Sequence, residues 1–158
     1  MMDSRALAAG AACISAVCFS PFAAAHHSFA MFDLSRHEVI EGRVTDWHYN
    51  NPHSWLYIEA KDENGELTTW SFEGAAPVHA TRQGVTGLTF RKGEQVRVIM
   101  SPLKDGRRAG AMCFVIKEDG SIARPNDGIC NSEKVIALWQ SNGWIESTHH
   151  LEGHPAPQ

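Results

Sequence analysis

Two adjacent histidines, His26 and His27, directly follow the alanine-rich stretch Ala23–Ala25. If the chain is cut after Ala25, His26 becomes the first residue and offers both its α-amine and its imidazole to one metal ion. The ordinary pKa is about 8 for an α-amine and about 6.5 for an imidazole, so both lose their protons readily around neutral pH. Together with one imidazole from elsewhere they form a planar set of three nitrogens, and such a set suits Cu(II).

His53 is the residue that we predict as the third nitrogen ligand. It follows Asn51-Pro52 at the start of a predicted strand, so the turn fixes its direction. The alternative is a surface or half-buried histidine that packs beside Trp55. A metal role for His53 therefore depends on the terminal histidine.

The other candidate ligands are His27, Asp33 and Glu73. His27 can chelate through its imidazole, its own amide and the α-amine, a mode that competes with the one at His26. The third position is Ser28, so the common copper motif with histidine third is absent. Asp33 and Glu73 can close an axial position or orient a ligand imidazole, and their alternative is a solvated charge or a structural hydrogen bond.

The segment 1–25 has the features of a cleaved secretory signal: a start with one arginine, an apolar run from Ala6 to Phe22, and an Ala-x-Ala exit. The run is short for a membrane span, which needs about 20 strongly apolar residues. An uncleaved anchor, or a lipoprotein attached at Cys18, is the alternative. We therefore expect a periplasmic or secreted protein with no membrane span after signal cleavage.

The mature chain is predicted to hold one β-barrel domain with an N-terminal arm over residues 26–146 and a polar mobile tail over 147–158. Its net charge of −4 disfavours nucleic-acid binding, which rewards a basic surface. The expected partner is a metal ion or another periplasmic protein.

Cys113 and Cys130 are the cysteines that remain after signal cleavage. In an oxidising compartment such a pair usually forms one disulfide, which contributes roughly 3 kcal/mol. The alternative is a pair of thiolate ligands for a soft metal.

Alternating apolar residues predict five strands, and a proline start and a glycine end predict a short helix after the third. This order matches a small all-β, five-stranded OB-like barrel, whose helix lies between strands three and four. An immunoglobulin-like sandwich is the alternative fold, although it usually has about seven strands. The predicted strands are residues 39–45, 53–60, 68–73, 95–100 and 110–117, the helices are 77–84 and 132–140, and residues 121–131 are predicted as a loop.

The sequence contains no Gly-x-Ser-x-Gly, phosphate loop, nicotinamide fingerprint or His-Glu-x-x-His. This favours a copper carrier or buffer over an enzyme, with an oxidative copper enzyme as a weaker alternative. Trp55 and Tyr57 share one face of a predicted strand with His53. They predict the alternative function, a non-enzymatic module that binds a protein or a small apolar ligand through an aromatic face.

Several separated blocks agree in order with those of a known family. They are His26–Asp33, Asn51–Trp55, Trp70–Glu73 and Pro102–Gly106. Through these blocks the chain resembles DUF6152, a family of small exported bacterial proteins of unknown function, over roughly residues 26–120. Many members of that family have a histidine before the Pro-Leu block, where this chain has Ser101.

Overall fold

The computed structural model describes residues 29–145 of the chain. The predicted signal segment, His26, His27 and the tail from 147 lie outside this range. Within it, the strands are β1 Glu38–His48, β2 Trp55–Lys61, β3 Leu67–Glu73, β4 Gln95–Pro102, β5 Ala109–Lys117 and β6 Ile122–Ala123, and the helices are α1 Pro77–Arg82 and α2 Glu133–Ser141.

Strands β1 to β5 close into a barrel. Antiparallel pairing gives the order β3-β2-β1-β4-β5, and a parallel pairing of Ser71–Glu73 with Ala109–Ala111 joins β3 to β5. Helix α1 lies between β3 and β4 in the chain. The prediction of a five-stranded OB-like barrel is confirmed, because this pairing with a helix in this position is the OB arrangement.

Strand β1 is longer than the predicted 39–45, because it pairs with two neighbours in succession. Its first half, Glu38–Arg43, pairs with β4, and its second half, Arg43–His48, pairs with β2. Gly42 lies where the two pairings meet, and a Cβ at this position would collide with the carbonyl oxygen of Glu59. The absence of a side chain therefore lets β2 approach β1 closely.

The barrel interior is filled by alternate residues of its strands. Leu56 and Ile58 of β2 are fully buried, as is Phe72 of β3. Full burial of such a side chain contributes about 1.5–3 kcal/mol. The opposite face of β2 carries Trp55 and Tyr57, which are half-buried.

A second apolar layer covers the outside of β4 and β5. The disulfide Cys113–Cys130 ties β5 to the loop before α2, which confirms the predicted pairing. Helix α2 begins after Ser132, whose Oγ accepts a hydrogen bond from the backbone N–H of Val135, and it buries Trp139 completely. Between residues 29 and 145, no helix has the length and apolar character to cross a bilayer.

Strand β6 lies in the segment that was predicted to be a loop. It forms two pairs with β5, Val115 with Ala123 and Ile116 with Ile122. A two-residue strand has too few residues for alternation to be read from the sequence. Helix α1 ends at Arg82, earlier than predicted, and Gly84 then takes a positive φ of 77°.

We expect His37 to make the docking of α2 sensitive to acid. Its ring meets the edge of the Trp139 ring with centroids 5.1 Å apart, and burial holds the pKa of His37 below its ordinary value, with Asp33 acting weakly in the opposite direction. A lowered pKa means that the unfolded chain takes up the proton first, so this contribution to stability is complete above pH ~6.5 and is lost as pH falls through the folded-state pKa. Urea unfolding should show a smaller loss of stability between about pH 7 and about pH 5 in His37→Phe than in wild type.

The matched control is His48→Phe, which removes an exposed histidine and its contact with Asp46 and should retain the acid-induced loss of stability that the burial of His37 causes. Equal pH dependence in wild type and His37→Phe would contradict this role.

Candidate functional site

The turn between β1 and β2 is anchored to the end of β3 by buried hydrogen bonds. Ser54 donates from its backbone N and from Oγ to the carbonyl oxygen of Ala75, over 3.1 and 2.8 Å, and its own carbonyl accepts from Gly74 N over 2.9 Å. Both Ser54 and Ala75 are fully buried. The residue before Ser54, His53, is thereby held over the end of β3.

His53 forms an ion pair with Glu73, the last residue of β3. The contact joins Nδ1 of His53 to Oε1 of Glu73, and the side chains are 27% and 7% exposed. It follows from the strand register, in which Trp55 lies opposite Glu73. Within residues 29–145, this is the one polar contact that the structure shows for the His53 ring, so Nε2 remains available to a ligand.

A carboxylate that binds one nitrogen of a histidine fixes the tautomer and the direction of the ring. Histidines that ligate metals almost always donate the other ring N–H to a carboxylate, a backbone carbonyl or a water molecule. The contact of His53 with Glu73 fits this pattern, with Nδ1 on the carboxylate and Nε2 facing away from it. Of the two carboxylates considered from the sequence, Glu73 is the one that the structure brings to His53.

The charge environment of Glu73 disfavours a second negative charge nearby. Burial raises the pKa of Glu73, the imidazole of His53 opposes that rise by charge and hydrogen bonding, and the carboxylate of Asp127 adds to it. Two carboxylates therefore act on one another at the end of β3. A positive charge nearby lowers the pKa of a carboxyl and so opposes the effects of burial and of Asp127 on Glu73.

Asp127 and His79 are members of this region that sequence reasoning missed. His79 lies in α1, and its Nδ1 is 3.2 Å from Oδ1 of Asp127 in the loop after β6. This loop is held in place because the backbone N of Ala75 donates to Pro125 O over 2.6 Å. The available signal was a histidine in the helix that directly follows the strand of Glu73.

The side chain of Asp33 is engaged within its own turn. Its Oδ1 accepts hydrogen bonds from the backbone N and the Oγ of Ser35, at 3.2 and 2.6 Å. These bonds lower the pKa of Asp33. The carboxylate thus has a structural role in the arm that leads to β1, and its predicted axial or orienting role remains a prediction.

His26 and His27 lie outside the described residues, and Phe29, which follows them after Ser28, lies within them. Phe29 is the first described residue, and it packs with Phe32, Leu103 and Ala111 in one apolar cluster. Ala111 lies directly beside Glu73 in the parallel pairing of β5 with β3. The arm therefore enters the described structure one strand away from the His53–Glu73 pair.

The aromatic residues of β2 form part of the barrel surface next to this site. Trp55 and Tyr57 are half-buried, and the Tyr57 ring meets the ring of His48 with centroids 5.1 Å apart. A groove of about 690 Å³ lies elsewhere, between residues of β1, β4 and the ends of β2 and β5. Of the candidate ligands that the structure describes, His53, Asp33 and Glu73, none lines that groove.

We expect Gly74→Ala to disrupt the junction beneath the site. A Cβ at Gly74 would lie 2.7 Å from each of Met112 Cε, Pro125 O and Ser54 Oγ. The backbone would have to move, and such overpacking destabilises by about 1–3 kcal/mol, which urea unfolding measures. The control is Gly87→Ala, where the nearest atom is a Tyr49 carbon at 3.7 Å; if both variants lost equal stability, the junction would not be the tightly packed element described here.

Comparison with known proteins gives a family but no described activity. No curated protein and no solved structure matches the chain. The model of a family of unknown function, DUF6152, matches residues 14–112, a range that includes His26, His53 and Glu73. The chain belongs to the DUF6152 family, as its sequence blocks predicted.

Proposed function

We propose that this chain is an exported copper-binding protein that carries or buffers the ion in the periplasm. His26 supplies its α-amine and imidazole, and His53 supplies the opposing imidazole through Nε2. His27 competes with His26 for the same ion. Glu73 does not bind the metal in this proposal but orients the His53 ring.

The observation that carries the proposal is the pairing of His53 with Glu73. A half-buried imidazole has one nitrogen on a buried carboxylate and the other without a partner among residues 29–145. A histidine that served packing alone would not need a carboxylate that is 93% buried, because burying a charge is unfavourable unless a partner offsets it. The arrangement supports Nε2 of His53 as a ligand for a metal cation.

The reach of the N-terminal arm limits where the metal can lie. Two residues, His27 and Ser28, lie between His26 and Phe29, and the three Cα–Cα steps span at most about 11 Å in an extended chain. Phe29 packs in the cluster that contains Ala111, the strand neighbour of Glu73. The arm is held there because Lys104 donates from its backbone N to Met31 O over 3.0 Å.

A carrier is favoured over an enzyme by the openness of the region. His53 lies on a turn at the barrel surface, while the groove of about 690 Å³ lies away from it. A metal exposed to solvent is easily passed to a partner protein. The disulfide between Cys113 and Cys130 supports an oxidising compartment, which is where the signal segment would deliver the chain.

The second candidate function is recognition of a protein or a small apolar ligand by Trp55 and Tyr57. It is favoured by their position on β2, because the face of strands two and three and the adjoining loop form the usual ligand surface of OB barrels. Binding that survives a chelator and is lost in Trp55→Ala would favour this candidate over copper.

We expect the chain that begins at His26 to bind one Cu(II) through nitrogen ligands. His53→Ala should weaken the affinity by about tenfold or more, because one imidazole is lost. Competition with a coloured chelator measures the affinity, and paramagnetic resonance identifies the nitrogen ligands.

The matched control for that experiment is His48→Ala. His48 also pairs with a carboxylate, Asp46, through a 2.8 Å contact, but it is 49% exposed. A chain that retains Ala23–Ala25 has no free α-amine on His26. It should therefore bind Cu(II) as weakly as a chain in which that amine is blocked. Equal copper affinities for wild type, His53→Ala and the chain with the added alanines would remove the proposal.

We expect Glu73→Gln to separate copper binding from stability. Glutamine still offers an oxygen to Nδ1 of His53 but carries no charge, so Cu(II) affinity should fall by about 10-fold to 100-fold. The metal-free protein should keep or raise its melting temperature at neutral pH, because burial raises the pKa of Glu73 and so disfavours its ionised form. A lower melting temperature with unchanged copper affinity would show that Glu73 is structural.

A further inference from the structure

A second group of metal-binding side chains lies on the opposite side of β5 from the barrel interior. His37, Cys113 and Cys130 each offer one ligand atom, and these atoms lie within 4.8 Å of one another. Among the described residues, this is the one group of three such side chains that meets that spacing. Its residues lie before β1, in β5 and in the loop before α2, whereas His53 and Glu73 lie before β2 and at the end of β3.

We propose that this group is a redox-gated site for a soft metal ion, such as Cu(I) or Zn(II). In the oxidised protein the two sulfurs are bonded to each other and offer no thiolate. Two electrons and two protons from a dithiol reductant break the S–S bond and leave two thiols. Each thiol releases its proton to solvent as it binds the metal, and the imidazole of His37 is the third ligand.

The geometry needs only small movements for such a site to form. A tetrahedral metal with bonds of about 2.3 Å to sulfur and about 2.0 Å to nitrogen keeps its ligand atoms roughly 3.3–3.8 Å apart. The Cα atoms of the two cysteines are 5.5 Å apart, so the sulfurs remain neighbours when the bond opens. The imidazole is already within reach of both.

The surroundings favour a soft, desolvated ion over a hydrated one. Cys113 and Cys130 are at most 1% exposed, and they share a cluster with Phe114 and Trp139. The ring of His37 meets Trp139 edge-on at 5.1 Å. Thiolate and imidazole ligands in an apolar shell select Cu(I) or Zn(II) rather than hard cations.

The alternative is a purely structural disulfide with a histidine packed beside it. In that case reduction would loosen the loop before α2 and would create no metal affinity. A redox-gated site therefore predicts that the reduced, folded protein binds a metal ion through thiolates, and a structural disulfide predicts that it does not.

Cobalt(II) is a suitable probe, because a bound thiolate produces a sulfur-to-metal charge-transfer band that nitrogen and oxygen ligands do not. Full-length mature protein is titrated anaerobically with cobalt(II), with and without a phosphine reductant. We expect a charge-transfer band in the reduced protein only, with an intensity that corresponds to one thiolate-bound cobalt per chain. The double variant Cys113→Ser/Cys130→Ser should show no band, and His37→Ala should bind the thiolate-bound cobalt at least tenfold more weakly.

The controls keep this result independent of the N-terminal copper site. His53→Ala should leave the charge-transfer band unchanged, and near-ultraviolet circular dichroism reports whether the packing of Trp139 survives reduction. The proposal is overturned if the reduced wild type gives no band, if the band appears only with loss of that dichroism, or if His37→Ala binds as tightly as wild type.

Discussion

Ala75 joins three segments of the chain through its main chain, and the positions of the candidate ligands depend on these bonds. Its carbonyl oxygen accepts from the N and Oγ of Ser54, and its N–H donates to Pro125 O. These groups are buried, so a broken bond would leave a polar atom without a partner. The bonds hold the turn with His53, the end of β3 and the loop after β6 against one another, and Gly74 makes the close contact sterically possible.

The barrel carries two chemically different groups of candidate metal-binding side chains, one at the end of β3 and one largely buried outside β5. At the end of β3, the imidazole of His53 contacts the carboxylate of Glu73, whose pKa is raised by burial. Outside β5, the imidazole of His37 lies beside the disulfide of Cys113 and Cys130. Under the two proposals, His53 and the chelate of His26 bind Cu(II), whereas the thiolates of reduced Cys113 and Cys130 bind Cu(I). One chain would then bind copper differently according to the redox state of its surroundings.

Alternation along the chain was sufficient to predict the five strands, because it depends on neighbouring residues only. The contact of His53 with Glu73 could not be derived in this way, since it requires the register of β2 on β3. Asp127 and His79 were missed for a similar reason, because a loop and a six-residue helix meet only after the barrel has formed. The prediction of the disulfide succeeded because Cys113 and Cys130 are the two cysteines that follow the predicted signal segment, and such a pair bonds in the oxidising compartment that was expected.

We expect Cu(II) to bind between the amino-terminal His26 and Nε2 of His53. Pulsed paramagnetic resonance of the Cu(II)-loaded chain that begins at His26 tests it most directly, because the remote nitrogen of each bound imidazole gives a signal that counts the rings. The account predicts two imidazoles, one of which carries the nitrogen signal of His53 when that residue alone is isotopically labelled. A labelled His53 that leaves the spectrum unchanged would contradict it.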